Sequence, residues 1–224
     1  MKSPAKTVLI WTLFIIGSTL YGAGAQEFTV GFTAGSLGFG GEVGIPFSDY
    51  VSVRLGGNYY THTISDYEYE SDETSLTVDG KVNLRSVGIF ADYYPFRQLV
   101  RISGGLVYHG NGMSADIRPM NIYQLGGDQY TPERLGKLSG DVGFQQLSPY
   151  LGLGIGHFPR TGTGWLISAN FGGIYHGQPQ VGLSGEGLIE PTASRDQEKV
   201  IEESISGFTW WPVISFNLGY RFSL

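Results

Sequence analysis

The sequence predicts an all-β fold: an eight-stranded antiparallel up-and-down transmembrane β-barrel, with short turns at one end and long loops at the other. Three observations lead there. The strands alternate between an apolar face and a small or polar one. One hairpin is written three times. The connections alternate in length. Composition agrees, with 224 residues, 35 glycines, 14% aromatic residues and no cysteine.

Residues 1–25 read as a cleaved secretory signal peptide. Lys2 and Lys6 give a basic start, Thr7 to Leu20 is apolar, and Ala23-Gly24-Ala25 is an A-x-A cleavage site. The apolar core is short for a membrane span, which is the alternative reading. Residues 26–224 are then the barrel domain. Removing the two lysines takes the formal net charge from −6 to −8, which argues against a nucleic-acid partner. An exported chain without disulfides must be held by burial or by a membrane.

The first ascending strand is EFTVGFTAG (27–35), with Phe28, Val30, Phe32 and Ala34 on the greasy face. After Gly35-Ser36 the apolar set becomes odd: Leu37, Phe39, Val43 and Ile45. A parity change there fits a tight hairpin or a β-bulge; the hairpin is preferred because it brings the strand count to eight. Further ascending strands lie near 51–64, 99–113 and 164–180, and descending ones near 37–47, 84–96, 147–158 and 209–222. Three copies of one hairpin, 40–62, 88–110 and 152–177, account for six of them, and the last descending strand, 211–222, echoes 148–158. The strings GGLVYHGN (104–111) and GGIYHGQ (172–178) are its recurring part. Turns near 47–50, 95–99 and 159–164 are short. The segments 65–76, 114–138 and 181–207 are long and polar and continue in part as strand; 193–205 can form a surface helix.

Alternation alone does not say which face is wet, and a soluble barrel would put the greasy face inside. The polar faces carry few charges at membrane depth: Glu42, Arg54, Asp92, Arg101, Arg221 and Glu27. A solvated exterior would carry many more, so the polar face is assigned to the lumen. Counted back from the turns, Glu42 can pair with Arg54 and Asp92 with Arg101. The greasy faces read as uncharged, as lipid demands, since a mid-depth Lys or Arg there costs roughly 2–4 kcal/mol. Aromatic residues end them. Tyr59, Tyr108, Tyr175 and Trp210 mark the long-loop end, and Tyr93, Trp165, Tyr220 and Phe222 the short-turn end. Eight residues separate Val51 from Tyr59, roughly 20 Å of height in a tilted strand.

The C-terminus, NLGYRFSL, resembles the outer-membrane assembly signal through Asn217, Gly219, Phe222 and Leu224. Many members of the class end in an aromatic residue; this chain has Phe222 two before its terminal leucine. In pattern the whole mature chain is similar to the small OmpA/OmpX-like bacterial outer-membrane barrel proteins. That resemblance implies residence in the bacterial outer membrane, contact with its lipid and lipopolysaccharide, and insertion by the outer-membrane assembly machinery. It says little about activity, and no cofactor is expected.

Parity turns His62, His109 and His176 into the lumen at matching heights, eight residues beyond Arg54, Arg101 and Ser168. They are either polar filler or a candidate transition-metal cluster. The loop DYEYESDET (66–74) and the acids of 186–203 are solvated faces or candidate sites for divalent cations. A lipid-modifying enzyme needs a site open to the bilayer, and these histidines point inward. The expected role is structural or surface-binding, without catalysis. A small channel or lateral-exit transporter is the alternative, because lumen glycines such as Gly152 and Gly172 leave space. A lipid A-modifying enzyme is the third reading.

Overall fold

The computed structural model describes residues 27–71, 74–96, 99–125, 128–159 and 162–223. The expected signal peptide and Leu224 of the assembly signal lie outside them. The strands in chain order are β1 (Glu27–Gly35), β2 (Gly38–Pro46), β3 (Val51–Ser71), β4 (Thr74–Tyr93), β5 (Val100–His109), β6 (Gly112–Pro119), β7 (Tyr123–Leu125), β8 (Asp128–Tyr130), β9 (Leu138–Gly143), β10 (Leu147–His157), β11 (Gly164–Tyr175), β12 (Gln180–Gly185) and β13 (Trp210–Ser223). Two helices, α1 (Pro132–Leu135) and α2 (Arg195–Ser204), lie in the long loops, with a 3-10 turn at Gly187–Thr192 between them.

Eight strands close a ring in the order β1-β2-β3-β4-β5-β10-β11-β13, and β13 returns antiparallel to β1 from Glu27↔Ser223 to Gly35↔Ser215. The parity change at 35–38 is a hairpin. Gly35 pairs with Gly38 across a two-residue turn, and Gly38 has φ of 94°. A side chain on Gly38 would also collide with Tyr60, whose Cβ lies 2.4 Å from the Cβ position, so glycine is required on both counts. This hairpin is short. β3 pairs with β2 only as far as Tyr59, then runs on unflanked on that side.

The outer surface of the ring is apolar. Leu55, Ile89, Leu106, Leu151, Ile167, Phe171 and Leu218 are exposed, and Phe216 is 66% exposed. A contiguous belt of this kind belongs against lipid. The girdle residues lie on the same face: Tyr59, Tyr108, Tyr175, Trp210, Tyr93, Trp165 and Phe222 are exposed and Tyr220 half-buried. They pack in pairs, Tyr175 with Trp210 at 5.2 Å between ring centroids and Trp165 with Tyr220 at 5.3 Å.

Above the girdle the long loops are largely sheet. Upper β4 leaves β5 after Ser86 and pairs with β6, which pairs with β9 and then β12. Register puts Leu76, Val78, Val82, Met113, Ile117, Leu138, Val142, Val181 and Leu183 on the face continuous with the lumen. Thr77, Asp79, Lys81, Ser114, Asp116 and Asp141 lie on the other face. The free edge of β12 is covered by α2, as edge strands commonly are. Glu202 accepts from the Val181 amide at 3.0 Å and Glu198 from the Leu183 amide at 2.9 Å. Ser194 caps the helix by accepting from the Gln197 amide.

Candidate functional site

The lumen is filled in layers. At the short-turn end Tyr94, Phe158 and Leu166 form a small apolar cluster. Arg221 closes the seam beside it, donating to Glu27 and, at 3.0 Å, to the Pro159 carbonyl.

The middle layer is an ionic network. Arg54 donates to Glu42 at 2.8 Å and to both oxygens of Asp92 at 2.9 and 3.2 Å. Arg101 sits 3.8 Å from Asp92 and donates to Asn170 at 2.6 Å. Of the two sequence-expected pairs, Glu42–Arg54 is therefore a direct contact. Asp92 is held chiefly by Arg54 and by the Ser103 hydroxyl at 2.6 Å, and only loosely by Arg101. Asn217 completes the set, donating to Glu42 at 2.8 Å and accepting from Asn170 and Thr33. Asn217 thus has a lumen role beyond the terminal motif. Asp92 and Arg101 are each 1% exposed, and such charges persist only with partners like these.

The upper layer is apolar, which the sequence reading missed. Leu37, Leu84, Val107, Ile174, Trp211 and Val213 form one buried cluster, with Phe90 and Tyr150 against it. Leu37, expected on the outer face, is the hairpin turn residue and folds over the barrel mouth. The glycines read as open space are filled. The hydroxyl of Tyr150 lies 2.2 Å from where a Cβ on Gly152 would stand and 2.7 Å from that of Gly172. Phe90 meets Tyr150 edge to face at 5.1 Å and carries the Arg54 guanidinium on its ring at 4.7 Å. What remains is a cavity of about 50 Å³ above the network and one of about 20 Å³ below, both touching Glu42 and Arg54.

The three histidines do not meet. His109 and His176 are buried at 1% and 0% exposure, whereas His62 is exposed. The reason is the short β1–β2 hairpin: at His62 β3 has no strand on that side, so equal strand height gives no shared lumen. Among the described residues no set of three His, Cys, Asp or Glu side chains is placed to hold a metal; Asp72 and Glu73 of the acidic loop lie outside them. His176 is packed by Phe144, Phe208 and Trp211 at 4.3, 5.3 and 6.4 Å. His109 Nε2 is 3.2 Å from the Ser148 hydroxyl, which itself donates to the Gln145 carbonyl at 2.9 Å. Ser148 is wholly buried, so its hydroxyl is not presented to a substrate.

One charge on the outer face was also missed. Arg85 faces outward on β4, opposite Tyr59, and is exposed. The greasy face is thus not uncharged at its upper rim.

No family model matches the sequence, and no curated protein matches it. Among solved structures, CarO2 of Acinetobacter baumannii superposes with a TM-score of 0.56 at 19% identity, covering 88% of this chain and 98% of that one. CarO of the same organism gives 0.53 at 18% identity, over 88% and 97%. At that distance the likeness establishes one thing: the chain has the fold of the small eight-stranded outer-membrane barrels.

Proposed function

We propose that the protein is an integral protein of the bacterial outer membrane with a structural or surface-binding role in the cell envelope, and that it neither conducts nor catalyses. One observation carries the reading: the lumen is blocked at three successive levels, by Tyr94–Phe158–Leu166, by the Arg54 network and by the Leu37–Trp211 cluster. The apolar belt and paired girdle aromatics support membrane residence, and the barrel likeness supports the outer membrane. The loop sheet, with its apolar inner face, gives a surface for contact outside the cell. Insertion by the outer-membrane assembly machinery belongs to the same proposal.

Planar-bilayer recording tests it. The expected result is no current above the lipid background across the accessible voltage range, and stepwise conductance would overturn it. The second reading, a small gated channel, has one observation in its favour: the two cavities are both lined by Glu42 and Arg54 of the ionic layer. A conductance that appears when that layer is removed, but not in the native protein, would support gating.

A further inference from the structure

The outer face of the barrel is apolar from the short-turn girdle upward until Arg85. Its neighbours on that face are aromatic. Arg85 stands opposite Tyr59 across β3–β4, and Val87, two residues below, stands opposite Tyr108 across β4–β5. Arg85 therefore lies at the level where lipid tails give way to headgroups.

The arginine is also seated. Its guanidinium lies against Gly110, so closely that a Cβ there would be 2.4 Å from Nε and 3.1 Å from Cζ. The Arg85 carbonyl accepts from the Gly110 amide at 2.9 Å, and its own amide donates to Asn111 at 3.2 Å. This is where β4 exchanges β5 for β6, leaving a groove of about 390 Å³ beside Arg85, Val87, Tyr108, Gly110 and Gln146 that also reaches Asn58 and Ser86 of the lumen face. Tyr108 donates to the Gln146 side chain at 2.9 Å, which fixes the groove's other wall.

No carboxylate among the described residues answers this cation. On the same face above it, Asp79 is taken by Arg118 at 2.7 Å and Asp116 lies 3.9 Å from Lys137. Lys81, four residues up the same strand face, is exposed and has no ion pair among the described residues. Two cations thus stand above an apolar wall, one of them held against Gly110 beside a groove. A guanidinium so placed suits two-pronged recognition of a phosphate group. The surrounding apolar belt fits acyl chains below it.

We infer that Arg85, seated on Gly110 and seconded by Lys81, is a binding site for the phosphate of a lipid in the leaflet on the long-loop side. The inference rests on the outer-membrane reading above and deepens it by naming a lipid site. A single lipid lies with its phosphate at Arg85, its headgroup in the groove and its chains along Val87 and Leu106.

Native mass spectrometry in a phosphate-free maltoside detergent tests this. The probes are a diphosphoryl glycolipid, the same lipid after enzymatic dephosphorylation, and inorganic phosphate alone. The wild-type protein is expected to retain one phosphorylated lipid and to bind the dephosphorylated form about tenfold more weakly. Arg85→Gln should lose about tenfold, and Arg85→Lys less, since it keeps the charge and loses the fork. Gly110→Val should lose as much as Arg85→Gln while leaving every charge in place. Arg118→Gln, at a cation already paired, should bind as wild type. Melting followed by circular dichroism confirms that each variant keeps its barrel. Equal binding by Arg85→Gln and wild type would overturn the site. Inorganic phosphate held as tightly as the lipid would overturn a lipid as its occupant. A conducting wild-type barrel would refute the proposed role and leave this result untouched, so the two can fail separately.

Discussion

Replacing Arg54 by methionine tests the central layer directly. The substitution keeps an apolar stem against Phe90 and removes only the guanidinium. It deprives Glu42 of a bond of 2.8 Å and Asp92 of two, at 2.9 and 3.2 Å. Removing one partner of a buried ion pair typically costs about 3–5 kcal/mol, because the other charge is left behind. Here two carboxylates are left, but neither is bare. Asp92 keeps the Ser103 hydroxyl at 2.6 Å and Glu42 keeps the Asn217 amide at 2.8 Å. The adjoining cavities, about 50 and 20 Å³, are large enough to admit water to the orphaned oxygens. These offsets bring the expected loss to the lower end, about 3 kcal/mol. The assay is reversible urea unfolding of the micelle-bound protein, read by tryptophan fluorescence. A companion variant, Arg54→Met and Arg101→Met with Glu42→Gln and Asp92→Asn, removes the buried charges of this layer together and should return to within about 1 kcal/mol of wild type. The reasoning is refuted if Arg54→Met unfolds within about 1 kcal/mol of wild type, or if the fourfold variant is the less stable of the two.

Further outcomes follow from the packing of the other layers. Gly152→Ala should destabilise by about 1–3 kcal/mol, through collision with Tyr150, and adding Tyr150→Leu should recover part of the loss in the same unfolding assay. His176→Phe should leave stability unchanged or raise it by up to about 2 kcal/mol, because neither ring nitrogen meets hydrogen-bond geometry with a protein atom; His62→Asn should do nothing to the melting temperature, and zinc should shift neither variant. In α2, the Arg195 guanidinium and then the Leu183 amide hold the Glu198 carboxyl below its ordinary value of 4.5. A depressed folded-state value means that docking of α2 on β12 is complete above the ordinary value and is lost as pH falls through the depressed one. The protection factor of the Leu183 amide, its exchange rate corrected for the intrinsic dependence on pH, should therefore fall on acidification, and in Glu198→Ala at neutral pH; unchanged protection in the variant would show that α2 does not protect this edge.

The outer half of the structure was legible in the sequence because lipid imposes one rule on every strand. Each outward position at membrane depth must be apolar, so parity alone finds Phe32, Leu55, Leu106 and Phe216, and the tyrosines mark where the rule ends. The lumen obeys no such uniform rule. Its polar middle could be read because Glu42, Arg54, Asp92 and Arg101 are rare charges on an otherwise bland face. Its apolar cap could not, because Val107, Trp211 and Val213 sit beside outward apolar residues and only blur the alternation. The glycines misled for a related reason. An empty Cβ position signals nearby volume without saying whose, and at Gly152 and Gly172 the volume belongs to Tyr150.

The histidine error has a different source, and it bears on how repeats are read. GGNYYTH, GGLVYHG and GGIYHG are one hairpin unit, and the repeat does give His62, His109 and His176 the same position along their own strands. Burial depends also on the neighbouring strands, and those are not repeats of one another. His109 lies beside β4 and the chain entering β10, while His62 rises past a two-residue turn that ends β1 and β2. The same short hairpin that brings the strand count to eight therefore removes the wall His62 would have needed. Sequence repetition fixes what each strand offers, and the length of its neighbours decides where that offer is received. Arg85 follows the same logic in reverse: a residue that strand parity turns outward gains a groove beside it because β4 changes partners there.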